Sequence, residues 1–215
     1  MRICTTNPGK LAEFGGLLAP LDIKLTTETA QDIPEIGDTF AHNAEEKARG
    51  YAAVHPGEWL LAEDSGLVIP ALAGLPGPYS ARFADAKISI LSIEIKDSGR
   101  PRSVMDPLNN QRVLEMMKDV PVHEHERGAY FVANIVVMAP DGTVAFSTER
   151  RSPGWIVTEP RGEGGFGYDP IFESDTSFGK TWAEIDSARK DLISHRSKAV
   201  WDLMAWLCST NLEVK

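Results

Sequence analysis

Apolar positions along this chain recur in two rhythms that alternate down its length. Residues 2–6 read as a short first strand, and Leu11, Phe14, Leu17 and Leu18 then fall at helical spacing. Between them stands Asn7-Pro8-Gly9-Lys10, where Asn7 suits a helix N-cap and Pro8 the first helical position. A second helix is predicted from Asp38-Thr39 onward, with Phe40, Ala44, Ala48 and Tyr51 along one side. Residues 59–62 read as an apolar strand stopping at Glu63-Asp64-Ser65-Gly66, and residues 67–72 as an extension of a neighbouring strand. Residues 106–118 have helical spacing, with Val113, Leu114 and Met117 inward. Residues 130–139 are almost continuously apolar, as in a strand buried on both faces. Pro140-Asp141-Gly142 turns the chain into residues 143–148, where Val144, Phe146 and Thr148 alternate with their neighbours, so the pair reads as a β-hairpin. Ile193, Val200, Leu203, Met204 and Leu207 mark a last helix. Strands interleaved with helices predict an α/β fold with a mixed sheet. Residues 86–103 break the rhythm. They carry Ile88, Ile90, Leu91, Ile93 and Ile95 before a polar, basic stretch, and read as a surface insertion.

A length of 215 residues fits one large domain or two closely joined lobes, and 42% hydrophobic residues can fill a core. The net charge of −9 argues against a general nucleic-acid surface, which needs excess Lys and Arg. A polyphosphate would have to meet a local basic site or a metal. No apolar run is long enough to span a bilayer and no signal peptide is evident, so a soluble cytoplasmic protein is expected. Cys4 and Cys208 match no metal-ligand spacing, and both are expected as buried free thiols.

Four segments carry candidate chemistry. The turn at residues 5–10 leads into a helix N-terminus, whose free N–H groups and dipole favour an anion. Lys10 adds a charge there, and Thr5 and Thr6 add hydroxyls, although the P-loop pattern is absent. Glu63 and Asp64 follow an apolar strand, where ligands gather in α/β sheets. Adjacent side chains share a site only if the backbone bends, which Ser65-Gly66 permits. Glu35 is a further acid, on a loop before a helix, and two or three such carboxylates beside a phosphate site would hold Mg²⁺. The run Gly162-Glu163-Gly164-Gly165-Phe166-Gly167-Tyr168-Asp169-Pro170 combines a pliable backbone with rings, and suits a wall for a flat polar ligand such as a nucleobase. Ser194-His195-Arg196 opens the last helix, with Lys190 just before it. Basic residues are unfavourable at a helix N-terminus, so a bound anion or carbonyl is expected to justify them. His42, His55, His123 and His125 have no convergent partners and read as structural or surface residues, while Trp201 and Trp206 read as packing residues.

Taken together these segments resemble the inosine triphosphate pyrophosphatase family, which hydrolyses non-standard purine nucleoside triphosphates. The resemblance runs nearly end to end. It rests on Thr5-Thr6-Asn7-Pro8-Gly9-Lys10, on Glu35 with Gly37-Asp38-Thr39-Phe40 and Asn43-Ala44, and on Ala62-Glu63-Asp64-Ser65-Gly66-Leu67. It continues through Gly74-Leu75-Pro76-Gly77, Tyr79-Ser80-Ala81-Arg82, residues 164–170 and Ser194-His195-Arg196. The resemblance implies one pyrophosphatase domain over residues 1–215: an elongated, two-lobed mixed sheet flanked by helices, with the active site in the cleft between lobes and a homodimer as the assembly. It also implies that Thr5, Thr6, Asn7, Pro8, Gly9 and Lys10 bind the triphosphate. Asp64 would be general base and metal ligand, and Glu35 the second carboxylate on Mg²⁺ or Mn²⁺. Ser65, Phe166, Gly167, Tyr168, Asp169, Lys190, His195 and Arg196 would bind the nucleotide, chiefly its base. A metal-activated water would attack the α-phosphorus of ITP, dITP or XTP, giving monophosphate and pyrophosphate. The alternatives are a pyrophosphatase for pyrimidine or modified nucleotides, and a catalytically silent nucleotide sensor. Glu63 departs from the pattern, since many relatives carry a second aspartate there.

Overall fold

A computed structural model describes residues 1–19, 33, 37–89, 92–123 and 126–210 of the chain. The strands are β1 (Arg2–Cys4), β2 (Leu60–Val68), β3 (Ala86–Ile88), β4 (Ile93–Ile95), β5 (Gly128–Met138), β6 (Val144–Ile156) and β7 (Phe172–Ser174). The α-helices are α1 (Pro8–Leu18), α2 (Phe40–Val54), α3 (Arg102–Met116), α4 (Ser187–Ile193) and α5 (His195–Thr210). The main sheet has five strands in the order β1-β2-β5-β6-β7. β1 runs parallel to β2 and β6 antiparallel to β7, so the sheet is mixed, as the α/β reading expected.

The chain divides into two compact units, the first comprising Met1–Ser65, Val132–Arg151 and Asp191–Lys215, the second Gly66–Phe131 and Ser152–Lys190. In the first unit, strand alternation sorts side chains onto two faces. Ile3, Leu61, Ala133, Ile135 and Val137 pack with Phe14 and Leu18 of α1 and with Ala199, Val200, Leu203 and Leu207 of α5. Cys4, Leu60, Ala62, Val136 and Met138 pack with Ala44, Ala48 and Tyr51 of α2. The turn at Pro140-Asp141-Gly142 closes on an Ala139 N–H to Thr143 carbonyl bond of 2.8 Å, giving the expected hairpin. In the second unit, Phe131 stacks on Trp182 at 4.9 Å, and Phe172 meets both edge-on. The buried Arg127 guanidinium donates to the carbonyls of Met117, Val120, Ile156 and Val157, tying the end of β6 to the turn after α3.

Several boundaries differ from those expected. Residues 67–72 do not form a separate strand: Leu67 and Val68 finish β2, and Pro70–Leu72 is a 3-10 turn. α3 starts four residues earlier than the spacing suggests, and β6 is far longer than residues 143–148. Within residues 86–103, β3 and β4 pair as a two-stranded antiparallel sheet, with Lys87 opposite Glu94 and Ile88 opposite Ile93. Trp206 stacks on Phe146 and meets Trp59 edge-on, whereas Trp201 is 45% exposed. No helix of the described residues is long and apolar enough to cross a membrane.

The two thiols are not alike. Cys4 is buried, but Cys208 is exposed on α5, which corrects the expectation that both are covered. The polar face of a helix end overrode the apolar neighbours that suggested burial. Burial pushes the Cys4 thiol up to about 12, so almost none of it is thiolate at neutral pH. Native protein treated with iodoacetamide should therefore take one carbamidomethyl group, at Cys208, and a second only after denaturation. Peptide mass spectrometry reads this directly, and labelling of Cys4 in the native state would contradict the burial.

Candidate active site

Glu63 and Asp64 lie within β2, which runs straight on through Ser65 and Gly66. The bend that Ser65-Gly66 would permit is not made, and the two carboxylates take opposite faces of the sheet. Each face supplies its own partners, so the extended backbone is kept. Glu63 turns toward α1 and α5, with Lys10 Nζ at 2.7 Å and Arg196 Nη2 at 3.0 Å. Burial on its own raises the Glu63 carboxyl, but Arg196 and then Lys10 outweigh it and hold the group well below the usual carboxylate range. Asp64 turns toward α2, where Asn43 Nδ2 donates to Oδ2 at 3.0 Å. Its Oδ1 accepts from the Ser65 N–H at 2.9 Å. Lys47, one turn beyond Asn43 on α2, donates to the Glu63 carbonyl at 3.1 Å.

The segment before α1 folds as its residue types dictate. Asn7 caps the helix, its Oδ1 accepting from the N–H groups of Gly9 at 2.9 Å and Lys10 at 3.3 Å, and Pro8 is the first helical residue. Thr5 Oγ1 accepts from the Asn7 N–H at 3.2 Å. These N–H groups were expected to be free for an anion. Asn7 already takes them, because a side-chain oxygen two residues away is the nearest acceptor. An anion here would meet the Thr5 and Thr6 hydroxyls and the Lys10 ammonium.

Only Ser194 separates α4 from α5, so Lys190 belongs to its own helix. Ser194 Oγ accepts from the Ser197 N–H at 3.1 Å and so caps α5. His195 and Arg196 are both buried. Arg196 Nη1 pairs with Glu13 of α1, while Nη2 reaches Glu63 and donates to Ser65 Oγ at 2.9 Å. Burial lowers the Arg196 pKa, yet Glu63 and Glu13 more than offset this and raise it above its ordinary value. The structure thus justifies a cation at this helix start by two carboxylates of the protein itself, where an external anion or carbonyl was expected.

The glycine-rich run belongs to the second unit. Gly165 takes φ +70°, and a side chain there would collide with the Asp169 carboxylate. Asp169 Oδ2 accepts from the Phe166 N–H at 2.9 Å and from Lys190 Nζ at 2.6 Å. The Lys190 ammonium also lies over the rings of Phe166, at 4.7 Å, and Trp182, at 5.3 Å. Phe166 remains half-buried, as a platform requires. Tyr168 differs from the expected wall: it turns inward and donates its O–H to the Ser80 carbonyl at 2.8 Å. Burial pushes its phenol well above the ordinary value, so it stays a donor.

Glu35 lies outside the described residues. Among the described residues no three His, Cys, Asp or Glu side chains cluster as metal ligands. Asp64 is a hard-oxygen donor on the α2 side, which fits an ion completed by further oxygens from a ligand or water.

The sequence pattern of the Ham1 family matches residues 1–206. The chain belongs to the Ham1 family. Among its relatives is a dITP/XTP pyrophosphatase of Parasynechococcus marenigrum (strain WH8102), 40% identical over 92% of this chain and 89% of the relative. A dITP/XTP pyrophosphatase of Xanthomonas oryzae pv. oryzae is 39% identical over 98% of each chain. A HAM1 protein from Coxiella burnetii superposes with a TM-score of 0.78, at 36% identity, covering 97% of this chain and 98% of that one. The family resemblance and the fold class read from the sequence both hold.

Within this Ham1-family chain, motif reading missed Glu13, Lys47, Asp106 and Asn110. Lys47 was legible in principle, since it follows Asn43 by four residues within the apolar stripe of Phe40, Ala44 and Ala48. Glu13 is one turn from Lys10 on α1, but its partner Arg196 is remote in sequence. That contact leaves no local trace.

Proposed function

We propose that this protein hydrolyses non-canonical purine nucleoside triphosphates (ITP, dITP and XTP) to the monophosphate and pyrophosphate. The observation that carries this is identity of about 40%, nearly end to end, with proteins named dITP/XTP pyrophosphatase. Asp64 is assigned as the general base, a role that suits a carboxylate fixed by two donors, Asn43 and Ser65. It takes the proton of the water that attacks the α-phosphorus. Thr5, Thr6, Asn7, Pro8, Gly9 and Lys10 are assigned to the triphosphate. Lys10 already tolerates a carboxylate at 2.7 Å, and its charge suits the pyrophosphate as it departs.

Asp64 and Glu35 are assigned to Mg²⁺ or Mn²⁺, typically held by one or two carboxylates together with substrate phosphates. When bound, the ion neutralises phosphate charge. Phe166, Gly167, Asp169 and Lys190 are assigned to the base, supported by the half-buried Phe166 ring and the cation above it, and Tyr168, expected in the same wall, is assigned to holding the loop from its inner side. Ser65, His195 and Arg196 are assigned to the nucleotide as well, with Arg196 exchanging or sharing its carboxylate partners. A homodimer in the cytoplasm completes the reading, on the strength of the family likeness. The exposed Cys208 thiol suits a reducing compartment.

Pyrophosphate release with Mg²⁺ across ITP, XTP, dITP, GTP, ATP, dTTP and UTP tests this. ITP, dITP and XTP should be turned over in strong preference to ATP, and EDTA should abolish the activity. Turnover confined to the pyrimidine nucleotides, or tight binding without turnover, would refute the proposal.

A further inference from the structure

One polar face of α3 packs against the protein, half-buried at Arg102 and Asp106 and buried at Asn110. Arg102, Asp106 and Asn110 recur every fourth residue and stack on one side of the helix. Asn110 is only 6% exposed. What this face meets is the glycine-rich loop of the same unit. Asp106 Oδ2 accepts from the Gly167 N–H at 2.8 Å, and Asn110 Nδ2 donates to the Gly167 carbonyl at 3.1 Å. Both backbone polar groups of one residue are thus held by side chains a single helical turn apart. Arg102 pairs with the other Asp106 oxygen at 2.9 Å and donates to the Ala81 carbonyl at 3.3 Å, which fixes the orientation of the Asp106 carboxylate. Gly167 has φ +64°, a conformation glycine reaches without strain. With no side chain to pack, its attitude is set by whatever grips its backbone. Its neighbours are anchored separately: Phe166 through Asp169, and Tyr168 through the Ser80 carbonyl, which Asn109 also engages at 3.2 Å.

The geometry points to Asp106 and Asn110 as positioning residues for base selection. They hold the Gly167 backbone, and through it the Phe166 ring and the peptide groups beside it, in one arrangement. This rests on the reading that the loop around Phe166 and Gly167 receives the base. A polar site discriminates between bases through donors and acceptors fixed in place. A loop released from α3 adapts to either base and discriminates less.

The test compares kcat/KM for ITP and ATP in the wild type, Asp106→Ala, Asn110→Leu and Asp106→Asn, with hydrogen exchange followed over residues 162–170. Asp106→Ala and Asn110→Leu should each reduce the ITP/ATP ratio about 10-fold, the scale of one hydrogen bond to a buried group. Asp106→Asn keeps an acceptor for the Gly167 N–H and should restore most of the ratio. Exchange over the loop should quicken in Asp106→Ala and remain slow in Asp106→Asn. If Asp106→Ala does not fold, Asn110→Leu decides the matter alone. Unchanged ITP/ATP ratios in folded variants of an active enzyme overturn the positioning role. A wild type inactive on ITP and XTP instead overturns the nucleotide reading, and the positioning role with it.

Discussion

Asp64→Asn should lower kcat for ITP at least about 100-fold at saturating Mg²⁺, the usual scale for losing a general base. The substitution keeps the size of the side chain and one oxygen for the Ser65 N–H. It removes the basic site and sets a second amide against Asn43 Nδ2, whose own Oδ1 is held by the Gly37 N–H at 2.8 Å, so one hydrogen bond is lost. The fold should survive, with a thermal midpoint close to that of the wild type. KM should move far less than kcat, because the proton is transferred only in the transition state. Steady-state pyrophosphate release beside a melting curve separates the two effects. Turnover near the wild-type value would remove Asp64 from the chemistry.

The largest stability effect should come from the neighbouring residue. Glu63 and Arg196 are both 2% exposed at their side chains, with Lys10 closing on the other Glu63 oxygen. Glu63→Gln leaves two buried or nearly buried cations short of a counter-charge. Breaking a buried pair by removing one partner costs about 3–5 kcal/mol. For a domain of this size that is a fall in Tm of roughly 6–20 °C. The pH dependence gives an independent check. The folded-state pKa of Glu63 is lowered, so its contribution is fully present above the unfolded value of about 4.3 and fades as pH falls through the folded value. The gap in Tm between wild type and Glu63→Gln should therefore be widest near neutrality and narrow on acidification below about pH 4.3. Scanning calorimetry from pH 7 to pH 3 measures it. A constant gap would mean that the Glu63 charge is not what holds these helices.

Local chemistry made much of the framework legible. Asn7-Pro8 announces the start of α1, and the cap is made as the residue types require. Pro140-Asp141-Gly142 marks its turn, and the apolar run before it is β5. What stayed hidden is long-range. A strand reading stopped at Ala62 because charged residues are poor strand formers, yet β2 continues because partners from α1, α2 and α5 neutralise or hydrogen-bond Glu63 and Asp64. Arg196 finds Glu63 133 positions away and Glu13 183 positions away, spacings that carry no pattern. The inner face of α3 was equally silent, because a periodicity search looks for apolar stripes and this one is Arg102, Asp106 and Asn110. Tyr168 in the glycine-rich run looked like a ligand platform, and the carbonyl of Ser80, 88 residues earlier, turns it inward.

The opposite orientations of Glu63 and Asp64 have a bearing on inheritance. The sheet stands between them. A lineage that lengthens the side chain at 63 from aspartate to glutamate must re-accommodate positions 10, 13 and 196, all on the α1 and α5 side. Position 64, facing Asn43 across the strand, is left as it was. Drift at 63 and constancy at 64 are thus compatible in the same gene. Two neighbouring letters can be read by selection as separate words.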